Sequence, residues 1–264
     1  MILDGKALSD LMAEQLRGWA AGRSIRLAIL LVGNDPGSVK YVAMKQKRAA
    51  DIGILCDVHH LSETAAESEI LKLIDGLNHD DAVDGIMVQL PLPGHADADT
   101  ITRRVAPAKD VDGLNPAGHF IPATVRGIEK LMEHYLFDDR HDFDLSGKTA
   151  VVVGASEIVG RPAAKMLLDH HATIIVCHSH TQNLAEFTRM ADILVSATGV
   201  VGLITPAHIK PGVVIVDAGD IGDVEHACYE LAAAYTPVPG GVGPMTVISL
   251  LENTIAARGR ANTI

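Results

Sequence analysis

Tyr41 and Lys45 stand four residues apart in the segment that opens Asp35-Pro36-Gly37-Ser38. On a helix that spacing puts a phenol and an amine one turn apart on one face. Pro36 and Ser38 suit a helix start there. An amine drawn partly out of water can take and return a proton near neutral pH, although a helical lysine taken alone reads as a solvated surface charge. A second candidate is Gln89, where the apolar run 85–89 meets Leu90-Pro91-Leu92-Pro93. Ligands of α/β sheets sit beyond the carboxyl ends of strands, so Gln89 projects at a cleft or merely caps a strand that proline ends. A third lies between prolines, in Pro107-Ala108-Lys109-Asp110-Val111-Asp112-Gly113. Its plain reading is a solvated loop. The fourth, Thr236-Pro237-Val238-Pro239-Gly240-Gly241-Val242-Gly243-Pro244-Met245-Thr246, is a rigid, tight-turning loop or a hinge.

A different chemistry is written in Gly154-Ala155-Ser156-Glu157-Ile158-Val159-Gly160, which follows the apolar run Thr149–Val153. A glycine turn between a buried strand and a helix lets the backbone approach a pyrophosphate, with free amides facing the anion. The spacing is not the common G-x-G-x-x-G, and a structural turn is the alternative. The following strand ends in Cys177-His178-Ser179-His180 and carries no carboxylate to accept a ribose 2′-hydroxyl. Ser179 and the imidazoles can donate to a 2′-phosphate instead, so the pattern leans to NADP with NAD possible. His178 and His180 have no second ligand cluster at fixed spacing, and no metal site is read.

The elements that must position these residues alternate between short β-branched runs and helix-length segments. Strands are expected at Arg26–Val32, Leu55–Leu61, 85–89, Thr149–Val153, Thr173–Cys177, 193–197 and 213–217. Helices are expected at 38–52, 65–77, 125–134, 159–168 and 245–258. Nearly continuous apolar strands separated by helices predict an α/β fold with parallel sheets and right-handed crossovers. No strong strand lies between Pro93 and Gly147, a stretch that includes the polar run from Asp138 to Asp144, so the domain boundary is placed there. The expected domains are 1–115 with 245–264, and 116–244.

At 264 residues the chain can bury a sizeable core, and 48% hydrophobic against 21% charged residues excludes disorder. A net charge of −11 and an aromatic content of 3% argue against nucleic acid and against an anionic membrane surface. Three scattered cysteines, Cys56, Cys177 and Cys228, make no disulfide framework and fit reduced thiols in a cytoplasmic protein. The first residues have no signal-peptide pattern, and no apolar run is long enough to span a membrane.

Taken together, these segments resemble the bifunctional methylenetetrahydrofolate dehydrogenase/methenyltetrahydrofolate cyclohydrolase family. The matches run in family order: Ser38-x-x-Tyr41-Val42-x-x-Lys45-x-Lys47, Val88-Gln89-Leu90-Pro91-Leu92-Pro93, Pro107-x-Lys109-Asp110-Val111-Asp112-Gly113, Ser156-x-Ile158-Val159-Gly160-Arg161-Pro162, and Pro237 to Thr246. They cover nearly the whole chain, and the last is highly specific. The resemblance implies two Rossmann-like lobes with parallel sheets around an inter-domain cleft, and a homodimer. It implies oxidation of 5,10-methylenetetrahydrofolate with NADP, then hydrolysis of the methenyl product to 10-formyltetrahydrofolate. Lys45 is then the catalytic lysine, Gln89 its partner, Tyr41 part of the folate site and Asp112 the pterin holder. An acceptor carboxylate suits a pterin, which offers an amino group and a ring N–H. Leu90, Pro91, Pro239, Gly240, Gly243, Pro244 and Thr246 border the folate. The implied cofactor contacts are Gly154, Ala155, Ser156, Ile158 and Val159, with His178 and Ser179 on the next turn. Thr198, Gly199, Gly219 and Asp220 complete them.

The chain departs from the family pattern on the dinucleotide side. Ala218-Gly219-Asp220 stands where the family reads Val-Gly-Ile, and Gly222-Asp223-Val224 follows at once, where the family inserts a longer segment. A cyclohydrolase with an NAD-directed or lost dehydrogenase is the alternative these changes suggest. Pro122-Ala123-Thr124-Val125 replaces the family's Pro-Cys-Thr-Pro and alters only local packing.

Overall fold

The computed structural model describes residues 1–137 and 143–261, so residues 138–142 of the expected polar run lie outside the described residues. The chain divides into two compact units. One holds Asp10–Ala123 and the chain from Val247 on; the other holds Met1–Ser9 and Thr124–Thr246.

In the first unit, β1 (Arg26–Val32), β2 (Leu55–Leu61) and β3 (Gly85–Val88) form a parallel sheet in the order β2-β1-β3. β1 reads Arg-Leu-Ala-Ile-Leu-Leu-Val and is buried from Leu27 on, as a central strand covered on both faces must be. β2 lies at the edge and exposes Leu55, Asp57 and His60. β3 stops one residue before Gln89, whose N–H donates to Leu30 O at 2.9 Å. Four helices carry residues of this unit: α1 (Gly5–Ala20), α2 (Pro36–Ile52), α3 (Glu67–Asn78) and α4 (Ala98–Arg104). The start of α2 is written locally: Asp35 Oδ2 accepts from Ser38 N at 2.8 Å and Pro36 occupies the first turn. Its end is Gly53 at φ 95°, a left-handed cap whose N–H returns to Ala49 and Ala50 carbonyls.

The second unit holds β4 (Thr149–Val153), β5 (Thr173–Cys177), β6 (Ile193–Ser196), β7 (Val214–Asp217) and β8 (Ala234–Tyr235), parallel in the order β5-β4-β6-β7-β8. It also carries α5 (Ala123–Leu136), α6 (Gly160–Asp169) and α7 (Leu184–Thr188). Strand order reverses between β4 and β6, which opens a crevice beyond their carboxyl ends. The last helix, α8 (Val242–Ala261), starts three residues earlier than its sequence pattern suggests.

The units differ from the expected 1–115 and 116–244 at both junctions. Met1–Ser9 groups with the second unit because the chain start adds to its sheet edge. Tyr235 N donates to Met1 O at 3.0 Å, and Leu3 N to Tyr235 O at 2.8 Å. Gly5 then packs against Gly241, where a Cβ would stand 1.8 Å from its carbonyl oxygen. Residues 116–123 stay with the first unit, tied by Ala123 N to Asp112 O at 3.1 Å and by Asn253 Nδ2 to Val111 O at 2.9 Å.

Candidate functional site

The buried stripe of α2 is Ser38, Val42, Lys45, Ala49 and Ile52. Lys45 occupies a place where helix periodicity calls for an apolar residue, and it is only 6% exposed. Burying an ammonium is costly unless it is hydrogen-bonded. Lys45 Nζ donates to Gln89 Oε1 at 2.8 Å, and Gln89 Nε2 donates to Leu90 O at 2.6 Å. The second bond orients the amide so that its oxygen, not its nitrogen, meets the lysine. Gln89 is itself 7% exposed. Tyr41, one turn before Lys45, is partly buried, whereas Lys47 is exposed.

Asp112 reaches the same end of the sheet through an added backbone pairing. Ile86 bridges Asp110 in parallel, which sets Asp112 level with Val88, beside Gln89. Burial pushes the Asp112 carboxyl up from the usual range, and the Lys45 charge pulls it back down. That coupling places amine and carboxyl in one electrostatic neighbourhood. Asp110 is 3% exposed. Burial raises it to about 6, opposed by its hydrogen bond from Asn115 N at 2.6 Å, with Asp112 adding to the rise. Gly113 has φ 73°, and a Cβ there would fall 2.7 Å from Pro122 N. The loop is therefore a packed turn rather than a solvated one. Leu90 and Pro91 follow Gln89 and are joined to each other by a cis peptide bond. Lys45, Gln89, Tyr41, Leu90, Pro91 and Asp112 thus all belong to the first unit.

In the second unit, Gly154 follows β4 at φ 111°. A Cβ there would stand 2.3 Å from Ala197 O, and one at Gly160 would stand 2.0 Å from Gly154 O. Both glycines are therefore required by close backbone approach. Ser156 Oγ accepts from Val159 N at 3.2 Å and Gly160 N at 3.4 Å, shaping the turn into α6. Ala155 and Val159 are partly exposed, and Ile158 is 40% exposed. Beyond β5, His180 N donates to His178 Nδ1 at 3.2 Å, so neutral His178 carries its proton on Nε2. His178 and Ser179 are exposed, and the turn holds no carboxylate. The glycine turn at the switch point and these outward donors fit a phosphorylated dinucleotide.

Sequence reasoning missed the carboxylates beneath the loops after β6 and β7. Asp217 is 1% exposed and Asp223 0%. Asp217 accepts from Gly219 N at 2.9 Å and Val224 N at 3.1 Å. Its carboxyl is pushed up first by burial and then by Asp223. Asp223 Oδ2 accepts from Ser196 Oγ at 2.9 Å, Thr198 N at 2.7 Å and Thr198 Oγ1 at 2.9 Å. An acid ending an apolar strand, and another just before Val224, were the available signals. The shortened segment is closed: Gly202 N donates to Gly222 O at 3.1 Å and Ile204 bridges Val224. Thr198, Gly199, Gly219 and Asp220 lie on these two loops, at the same sheet end as Gly154.

The loop from Thr236 to Thr246 also belongs to the second unit. Asp217 N donates to Thr236 Oγ1 at 2.8 Å, Gly241 N to Pro237 O at 2.7 Å and Lys6 N to Gly240 O at 2.9 Å. Pro239 is exposed, Gly240, Gly243, Pro244 and Thr246 partly so. Among the described residues no His, Cys, Asp and Glu group could hold a metal ion, and no helix is long and apolar enough to cross a membrane. The three cysteines are free, and burial raises Cys56 and Cys228 to about 11, which makes them poor nucleophiles.

A parallel α/β unit holding a buried lysine–glutamine pair, joined in one chain to a doubly wound unit with a glycine turn at its switch point, defines a dinucleotide-dependent α/β enzyme. Residues 3–112 match the tetrahydrofolate dehydrogenase/cyclohydrolase catalytic domain, and residues 122–262 match the NAD(P)-binding domain of the same family. The chain belongs to the tetrahydrofolate dehydrogenase/cyclohydrolase family. It is 43% identical to the bifunctional protein FolD of Campylobacter jejuni over 286 aligned positions, which cover 99% of each chain. The crystal structure of the Campylobacter jejuni bifunctional enzyme superimposes with a TM-score of 0.92 at 42% identity, covering 98% of this chain and 99% of that one. The Trypanosoma brucei enzyme, complexed with NADP cofactor and inhibitor, gives 0.92 at 30% identity, covering 100% and 99%.

Proposed function

We propose that this protein oxidises 5,10-methylenetetrahydrofolate to the 5,10-methenyl form with NADP and then hydrolyses that product to 10-formyltetrahydrofolate. The observation that carries the reading is the buried Lys45–Gln89 pair at 2.8 Å, in a unit that matches the family's catalytic domain. The methenyl group is an amidinium cation. Water adding to its carbon must lose a proton, and opening of the ring must return one to the departing nitrogen. Lys45 is the group that takes and gives that proton. Gln89 holds the amine without adding a charge that would fix it as ammonium. Tyr41 lines the folate site one turn away, with Leu90 and Pro91 at its rim. Asp112 accepts from the amino group and ring N–H of the pterin.

NADP supplies the hydride acceptor when bound. The turn from Gly154 to Val159 holds its pyrophosphate through backbone amides, and Thr198, Gly199, Gly219 and Asp220 border it. His178 Nε2 and Ser179 donate to its 2′-phosphate, which favours NADP over NAD. The loop from Pro239 to Thr246 borders the folate. The protein acts in the cytoplasm as a homodimer; light scattering on the purified chain is expected to give twice the monomer mass.

The direct test measures methylenetetrahydrofolate oxidation with NADP and with NAD, alongside methenyltetrahydrofolate hydrolysis, on one preparation. Strong NADP turnover with hydrolysis is expected. Hydrolysis with no turnover of either coenzyme would overturn the dehydrogenase half of the reading.

A further inference from the structure

Asp223 spends a fully buried carboxylate on two neighbouring loops. Its Oδ2 takes all three donors offered by Ser196 and Thr198, whereas Oδ1 is buried with no hydrogen-bond partner among the described residues. An acceptor left bare in the interior costs stability, so a carboxylate held this way calls for a reason. Oδ1 lies directly under the next loop: a Cβ on Gly219 would stand 2.3 Å from it and 3.1 Å from Asp217 Oδ1. One side chain therefore fixes the loop after β6 by hydrogen bonds and the loop after β7 by close packing. Its own backbone completes the clamp, because Ile204 N donates to Asp223 O at 3.0 Å. Thr198 passes the constraint outward, its Oγ1 accepting from Val200 N at 3.1 Å.

We propose that Asp223 is a positioning residue for the dinucleotide, acting through Thr198 and Gly219 without touching the coenzyme. The proposal rests on the reading that these loops border NADP. It explains how the chain manages with so short a connection after β7. The segment is only long enough to carry Asp223 back under Thr198, and that carboxylate does the holding. Replacing it with alanine strips the acceptor from three donors at once. Replacing it with asparagine keeps a carbonyl oxygen for those donors and turns an amide, rather than a second carboxylate, toward Asp217.

The test titrates NADPH by its fluorescence into the wild-type protein, Asp223→Ala, Asp223→Asn and Ser196→Ala. Hydrolysis of methenyltetrahydrofolate without coenzyme is measured on the same samples, and thermal melting confirms that each is folded. Asp223→Ala is expected to weaken NADPH binding by about tenfold or more, Asp223→Asn to restore it to within about threefold, and Ser196→Ala to cost about threefold. Hydrolysis stays within about twofold throughout, because the proposed proton-transfer pair, Lys45 and Gln89, lies in the other unit. Wild-type affinity in Asp223→Ala overturns the proposal. So does a parallel fall of hydrolysis and binding that asparagine does not rescue, since that is the signature of lost fold. Should Asp223→Ala fail to fold, unchanged affinity in Ser196→Ala overturns it instead. Failure of the wild-type protein to bind NADPH strikes the dinucleotide reading itself, whatever the variants do.

Discussion

In the unit that carries Lys45, the proposed working groups are side chains pulled into the interior. In the unit that carries Gly154, they are proposed to be backbone amides of a turn that two glycines keep clear. The first arrangement needs a partner for every polar atom it buries, and Gln89, itself oriented by Leu90 O, is that partner. The second needs nothing filled in: Gly154 and Gly160 have no room even for a methyl group. The contrast teaches where each site is vulnerable. The lysine site is expected to fail when one functional group is removed, with the fold retained. The glycine turn fails when anything is added.

The largest effect is expected from Lys45→Met. Hydrolysis is expected to fall by roughly 10²–10⁴-fold, the range of a positioned acid–base group. The melting temperature is expected to hold or rise, because an apolar chain of similar length replaces a buried ammonium. Near wild-type hydrolysis would remove Lys45 from the mechanism. Gly154→Ala is the opposite experiment. A side chain at φ 111°, pressed on Ala197 O, costs the native turn about 2 kcal/mol; the turn relaxes to escape it and must be restored on binding, so NADPH binding weakens by up to roughly thirtyfold. Coenzyme-free hydrolysis should be untouched; if both activities drop together, the two sites are not separable as described.

Asp110 makes the burial of the 110–113 turn visible through pH. Its carboxyl is raised from 3.8 to about 6, so the folded state favours the protonated form. That contribution to stability is fully present below pH 3.8 and is lost as pH rises through about 6. Urea unfolding at pH 4 and pH 7.5 should show the wild-type protein losing about 3 kcal/mol, at most, relative to Asp110→Asn over that interval. Equal pH profiles for the two proteins would mean that the 110–113 turn is not buried as described. The smallest effect belongs to His178, one of the two side chains proposed to donate to the 2′-phosphate. His178→Ala should weaken NADPH by about threefold and leave NADH unchanged, as expected for the loss of one exposed hydrogen bond. Equal losses for both coenzymes would take His178 away from the 2′-phosphate.

The strands Arg26–Val32, Thr149–Val153 and Thr173–Cys177 were legible to the residue, because apolar runs bounded by turn residues leave little choice. β8 was not, since a two-residue strand exists only through its pairing with β7 and the chain start. α1 also has a readable period: Leu8, Met12 and Leu16 are all buried and recur every four residues. The same period held the better clue to the site. Val42, Ala49 and Ile52 point inward, and Lys45 falls on their stripe, which separates it from the exposed Lys47 without any appeal to relatives. The turn around Asp112 looked open because its packing comes from Pro122, which lies against Gly113, and from Asn253 in the last helix, which holds Val111. Such contacts have no local signature. Asp223 was hidden for the same reason, its three donors lying twenty-five or more residues upstream.

Order of synthesis gives the last helix a further significance. Gly85, at the head of the strand that leads to Gln89, packs against Thr254, while Asn253 holds Val111 and Arg258 pairs with Asp84 at 3.3 Å. These residues leave the ribosome long after the strands they cover. The lysine-bearing sheet therefore keeps one flank bare until residues 124–246 of the second unit have all been made.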